Sequence, residues 1–207
     1  MPRPRFKKLE PEKQAHILAV AAKHFAADGF EGASMNRILE EAGVSKGAAY
    51  YYFDDKGDLF ATAIEVWWDR VAAELWPDGG LALGGSADFW GQTYALYLRQ
   101  LAFFRAEPDV SRMVKSLPDA LHDPSVARLA PRYEALLNGV LALMERGRAT
   151  GHVRTDLPLD LLMHMLSGLD DGIDRWLIDH PDAIDADPGL PRRTFDALRS
   201  VLEARDA

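Results

Sequence analysis

The stretch ASMNRILEEAGVSKGAAYYYF, Ala33 to Phe53, constrains the fold more than any other part of the chain. Ser34 is a good helix N-cap, and Met35, Ile38, Leu39 and Ala42 recur behind it at helical spacing, with Glu40 and Glu41 facing away. Gly43 ends that helix, and Ser45 caps another only two residues later. Two helices must therefore meet across Ala42-Gly43-Val44-Ser45, a turn tight enough to favour a residue that tolerates positive φ. The run from Glu10 to Asp28 gives them something to pack on. It carries Ile17, Leu18, Ala21, Ala22 and Phe25 on one stripe, and Gly29 is its expected stop.

The helix after the turn reads face by face. Lys46 and Tyr50 are four apart, as are Gly47 and Tyr51, so these four form one stripe. Ala49 and Phe53 form a second stripe, toward the preceding helices, and Tyr52 lies at the margin of both. Three successive tyrosines span about 200° of a helix, so they cannot all enter a core. On the first stripe Lys46 brings charge for a phosphate or a guanine edge. Gly47 lets a backbone approach closely, and Tyr50 and Tyr51 offer hydroxyls to phosphate oxygens and rings to sugars or a thymine methyl. Two short helices in this arrangement have the shape of a helix-turn-helix.

Charge is distributed to suit. The 207-residue chain has a net charge of −8, yet residues 1–56 hold nine Lys/Arg against eight Asp/Glu, while residues 57–207 hold fifteen against twenty-four. Arg3, Arg5, Lys7 and Lys8 crowd the first eight positions. A polyanion would meet the N-terminal third, or else the basic tail is only a solvated end. With 48% hydrophobic and 27% charged residues the chain is an ordinary globular one, and with no cysteine it has no disulfide framework or thiolate metal site. No apolar run reaches membrane-spanning length and the N-terminus lacks a signal-peptide core, so the cytoplasm is the expected location.

Beyond residue 53 the pattern stays helical. Asp54-Asp55-Lys56-Gly57-Asp58 opens a long helix, 55–76, through Leu59, Ala63, Trp67 and Val71, its acidic first turn suiting the helix dipole. Pro77–Gly80 and Gly84–Ser86 mark a connection, and further helices are expected at 86–106, 108–120, 124–149, 158–180 and 190–205. The fold class is all-α with about nine helices, divided near residue 56 into residues 1–56 and 57–207.

Residues 29–60, GFEGASMNRILEEAGVSKGAAYYYFDDKGDLF, resemble the DNA-binding domain of the TetR family of bacterial transcriptional repressors. Gly29-Phe30, Ser34, Ile38, Ala42 to Ser45, Gly47, Tyr50, Phe53, Lys56 and Leu59 fall at that family's spacings. The resemblance implies that Ser34 and Tyr50 contact phosphates, that Asn36 and Lys46 face base edges, and that Lys56 clamps the backbone from the other side. Ser45, Gly47, Tyr51 and Tyr52 complete the expected DNA-binding set. Two residues depart from the pattern: Leu39 replaces a small residue before the turn, and Tyr52 replaces a histidine. Ala48 cannot hydrogen-bond through its side chain, so DNA shape is expected to contribute to specificity.

Residues 57–207 then look like a ligand-sensing and dimerisation domain. Most of their aromatic residues are expected in the core, with Trp67, Trp90, Tyr94 and His164 as candidate walls of a small-molecule pocket. Asp170, Asp171 and Asp174 beside tryptophans would suit a cationic ligand, or are solvated acids on an outer face. The expected dimer interface comprises Leu161, Leu162, Met165, Gly168, Leu169, Gly172, Ile173 and Trp176, with Phe195, Leu198, Val201 and Leu202 of the last helix. A two-fold dimer presents two reading helices to a palindromic operator. The reading is thus a repressor released from double-stranded DNA by a small molecule, with an activator or ligand-independent DNA binder as the alternative. An enzyme or metal protein is the remote rival. His122, His152, His164 and His180 form no HExxH pair, and there is no phosphate loop or GxSxG elbow. No cofactor, metal or catalytic residue is expected.

Overall fold

The computed structural model describes residues 5–75 and 88–204. Among these the elements are α1 (Pro11–Gly32), α2 (Met35–Glu41), α3 (Lys46–Tyr52), α4 (Lys56–Leu75), α5 (Phe89–Ala106), α6 (Pro108–Lys115), α7 (Leu117–Ala120), α8 (Ala130–Ala149), α9 (Leu159–Asp179), α10 (Ala183–Ala186) and α11 (Leu190–Leu202). The fold is all-α. Two of these helices, α7 and α10, are single turns. Trp76 and the expected connection at Pro77–Ser86 lie outside the described residues.

Packing divides the chain into two units. One is Met1–Ala72 with Glu107–Glu134, and the other is Ala73–Ala106 with Ala135–Ala207. The division near residue 56 expected from the sequence falls inside the first unit.

In the first unit α1 supplies the apolar stripe that the sequence predicts. Ile17, Ala21, Ala22 and Phe25 are buried. Gly29 has φ 67° and ψ 176°, a conformation that L side chains rarely adopt. It kinks the helix rather than ending it, and the chain turns on to Gly32. The rings of Phe25, Phe30 and Phe60 meet edge-on or stacked at 4.9–6.3 Å between centroids, tying α1 to α4.

The stretch Glu107–Glu134 completes this unit. Helix α6 packs on α1, and the residues after α7 hold the start of α4. The Asp55 carboxylate accepts from the Asp58 N–H at 2.7 Å, an N-cap bond, while Ser125 Oγ donates to Asp55 Oδ2 at 2.7 Å. A Cβ on Gly57 would collide with the Asp123 carboxylate, so the two segments approach with only a hydrogen between them. Arg128 then reaches into α4. Its Nη1 donates to Asp58 Oδ1 at 2.8 Å, its Nε to Glu65 Oε1 at 3.0 Å and its Nη2 to Thr62 Oγ1 at 3.2 Å. The Asp58 side chain is 2% exposed and that of Arg128 19%.

Two expected helices differ in detail. The 108–120 helix breaks at Ser116, since Pro118 lacks the N–H that a continuing helix needs and sits instead in the first turn of α7. The 124–149 helix begins at Ala130, after a 3-10 turn at Ala127–Leu129.

The second unit is built on α5, α9 and α11, with the later turns of α8. Phe89, Leu143, Met144, Val153, Leu162 and Leu202 form one buried cluster, and Tyr97, Leu101, Leu177, Phe195 and Leu198 another. Gly147 lets α8 meet Val153 and Phe89, which a Cβ would strike. Burial pushes the pKa of the Tyr97 hydroxyl, which donates to Thr194 Oγ1 at 2.8 Å, up to about 12. No helix among the described residues is long and apolar enough to cross a membrane.

Candidate nucleic-acid interface

The turn between α2 and α3 closes as a Schellman motif. Val44 N–H donates to the Leu39 carbonyl at 2.7 Å and Gly43 N–H to Glu40 at 3.0 Å, with Gly43 at φ 68°. Val44 and Leu39 are both buried, which supplies the apolar contact such a cap carries. Leu39, large where a small residue was expected, is accommodated at 1% exposure. A clamp on Glu41 holds α2 to α1: Lys23 Nζ lies 2.8 Å from Oε1 and His24 Nε2 lies 2.7 Å from Oε2. The Lys23 bond, and after it that of His24, holds the Glu41 carboxyl below the usual carboxylate range.

Helix α3 is thereby fixed with Phe53 fully buried beyond its end. Ser45 caps it, its carbonyl accepting from Ala48 N–H at 2.8 Å and its hydroxyl oxygen lying 3.4 Å from the same nitrogen. Ser45, Gly47 and Asn36 are exposed, and Tyr51 is 53% exposed. A Cβ on Gly47 would meet nothing within 4 Å. Glycine costs a helix about 1 kcal/mol relative to alanine, and among the described residues nothing crowds this position.

Tyr52 is half-buried, edge-on to Phe6 at 6.4 Å. The side chains of Lys46, Ala49 and Tyr50 lie outside the described residues. Ser34, half-buried, makes no side-chain cap bond, so its backbone alone starts α2. Lys56, with a side chain 27% exposed, reaches back to α1: Nζ donates to the Glu31 carbonyl at 3.0 Å and lies 4.7 Å above the Phe30 ring. In this position it joins the end of α1 to the start of α4. Sequence reading also missed Phe6, which is buried against Phe53 with ring centroids 4.8 Å apart. A lone aromatic in a basic tail has no periodicity to reveal it.

The candidate pocket residues fall in different units. Trp67 is buried in the first unit, while Trp90 and Tyr94 flank Phe195 in the second, at 6.5 and 5.0 Å. His164 is exposed, its Nδ1 hydrogen-bonded to the Asp160 carbonyl one turn back on α9. Asp174 is buried against Gln100 and is not a solvated acid, whereas Asp170 and Asp171 are half-buried.

The expected dimer stripe splits in two. Leu162 of α9 and Phe195, Leu198 and Leu202 of α11 belong to the chain's own core, and the stripe on α9 is too wide for one face. Leu161, Met165, Gly168, Gly172 and Trp176 are exposed on another face of α9, and Leu169, Ile173 and, on α11, Val201 are half-buried. A Cβ on Gly168 or Gly172 would meet nothing within 4 Å.

Residues 17–63 match the sequence profile of bacterial regulatory proteins of the tetR family. The HTH-type transcriptional regulator AcrR of Shigella flexneri is 43% identical over 56 residues, 27% of this chain and 25% of that protein. The HTH-type transcriptional repressor AcnR of Corynebacterium diphtheriae is 27% identical over 161 residues, covering 77% of this chain and 78% of the relative. The crystal structure of a TetR family transcriptional regulator from Chloroflexus aurantiacus J-10-FL shares the fold throughout. Its TM-score is 0.71 at 23% identity, over 99% of this chain and 100% of that one.

Proposed function

We propose that this chain, whose N-terminal domain belongs to the tetR family of bacterial regulatory proteins, is a homodimeric repressor that leaves a palindromic operator when a small molecule binds its C-terminal helices. The observation that carries the DNA-binding part is the capped turn at Gly43, which fixes α3 with Gly47 and Tyr51 facing outward. Asn36 and Lys46 would read base edges, Asn being able to grip adenine bidentately. Ser34, Ser45, Tyr50, Tyr51 and Tyr52 would hold phosphates and sugars, with Gly47 admitting the backbone closely. Lys56 would act indirectly, by steadying the α1–α4 junction.

Repression is favoured over activation by the repressor named among the long-range relatives. Pairing would use the exposed face of α9, where Gly168 and Gly172 permit close helix approach and Leu161, Met165 and Trp176 supply apolar area. Within the second unit, Trp90, Tyr94 and His164 are the candidate effector residues. Effector binding would shift the population of α4 positions and, with it, the separation of the two reading helices, which must stay near one DNA turn, about 34–36 Å.

Selection of bound duplexes from a random pool tests the reading. It should enrich a site with two-fold symmetry and half-sites one or more helical turns apart. A pool that enriches nothing, or only asymmetric sites, overturns it. A reporter carrying the selected site then separates repressor from activator.

A further inference from the structure

Residues 5–9 pack onto the helix-turn-helix. Phe6, within a 3-10 turn at Phe6–Lys8, is 2% exposed and packs on Phe53 at 4.8 Å and Tyr52 at 6.4 Å. The turn is tied at its far end to α1, where Gln14 Nε2 donates to the Leu9 carbonyl at 2.7 Å. Its position is therefore fixed from two sides. Beside Phe6, the Arg5 guanidinium sits 4.6 Å over the ring of Tyr51, the exposed tyrosine of α3. Arg5, Lys7 and Lys8 are all exposed, and no carboxylate among the described residues pairs with any of them.

We propose that Arg5, Lys7 and Lys8 form a pre-positioned clamp for the phosphates of a DNA duplex, extending the α3 surface past Tyr51. This rests on the DNA-binding reading above and adds a contact outside the helix-turn-helix. A core-filling role explains Phe6 but not the three cations around it. Arg5 on the Tyr51 ring shares its position with a residue of the reading helix, so a duplex against Tyr51 meets Arg5 as well. Charge arithmetic makes the clamp matter. Residues 57–207 carry a net −9 that repels phosphate, and these three cations are a third of the nine in residues 1–56.

The clamp is sequence-independent and acts through counterion release, with a slope of about −0.9 in log affinity per log salt for each phosphate contact. The variant Arg5→Gln/Lys7→Gln/Lys8→Gln keeps the Phe6 anchor and should melt like the parent chain. In a salt series its binding to the selected duplex should show a slope shallower by about 2–3. At about 0.15 M salt, two to three lost contacts correspond to roughly 30- to 170-fold weaker binding. Binding to an unrelated duplex of equal length should weaken by the same factor. A control with the same charge change elsewhere, Arg99→Gln/Arg105→Gln/Arg192→Gln, should stay within about threefold of the parent.

Unchanged slope and affinity in the clamp variant overturn the inference, as does an equal loss in the control, which would reduce the effect to net charge. If the parent chain selects no duplex, the DNA-binding reading fails and the clamp fails with it. If the parent binds and the clamp variant binds equally well, only the clamp falls.

Discussion

Replacing Arg128 by methionine removes a guanidinium from the start of α4 while keeping an apolar stem of similar reach. Its principal partner, the Asp58 carboxylate, is 2% exposed, and the Nη1–Oδ1 distance is 2.8 Å. Breaking a fully buried ion pair from one side costs about 3–5 kcal/mol, and here the remaining carboxylate still accepts from the Asp54 N–H at 3.2 Å. Arg128 itself is 19% exposed, so water can reach part of the vacated space, which lowers the expectation to about 2–4 kcal/mol. The Glu65 contact, with a 30% exposed carboxylate, adds little.

Urea unfolding followed through Trp67 and Trp68, buried on the same helix, measures the loss directly. Asp58→Asn and the double variant close a thermodynamic cycle, and a coupling of about 2 kcal/mol is expected. A loss under about 1 kcal/mol for Arg128→Met, with coupling under about 0.5, would refute the reasoning, because the carboxylate would then be solvated or compensated. The same variant should weaken operator binding, since α4 begins four residues after α3 ends.

Gly47→Ala should raise thermal stability slightly, by up to about 1 kcal/mol, yet weaken operator binding at least about tenfold. A variant that is stabilised and binds normally would show that no partner needs that space. The Glu41 clamp gives an acid dependence. Its carboxyl is held low in the folded state by Lys23 and His24, so its stabilisation is present above the ordinary carboxylate range and disappears as pH falls through the lowered value. Glu41→Gln should accordingly flatten the acid limb of a stability-pH curve, and an unchanged limb would exclude the clamp as its source. Met165→Glu with Trp176→Glu should shift the chain to monomer in sedimentation and abolish binding to the two-fold site. A persistent dimer would place the interface elsewhere.

How much of this was legible in the sequence depended on whether a signal was local. Gly43 was, because a helix stop followed two residues later by a helix start leaves the backbone few conformations, and φ 68° is one of them. The kink at Gly29 was half legible: the residue type marked the place, but the packing of Phe30 on Phe25 and Phe60 carries the chain through it. Ser34 looked like a side-chain cap and makes no such bond. On α9, neighbours such as Leu161 and Leu162 differ by about 100° of helix, and no periodicity states which faces the chain's own core. Their exposures do, at 45% and 0%. Phe6 and Lys56 were not legible as partners, because both act through residues that only folding brings near: Phe53, and the Glu31 carbonyl with the Phe30 ring.

The first unit is assembled from two separated stretches of chain, the second of which grips the Asp55–Asp58 turn. Recombination therefore has awkward seams here. A hybrid that joined residues 1–72 to another protein's remaining chain would leave Asp58 to be matched by a foreign arginine and Gly57 by a foreign loop. A viable exchange would carry residues 107–134 along with the reading head. Inherited variation in these two stretches should consequently travel as a linked set, even though more than thirty residues of sequence lie between them.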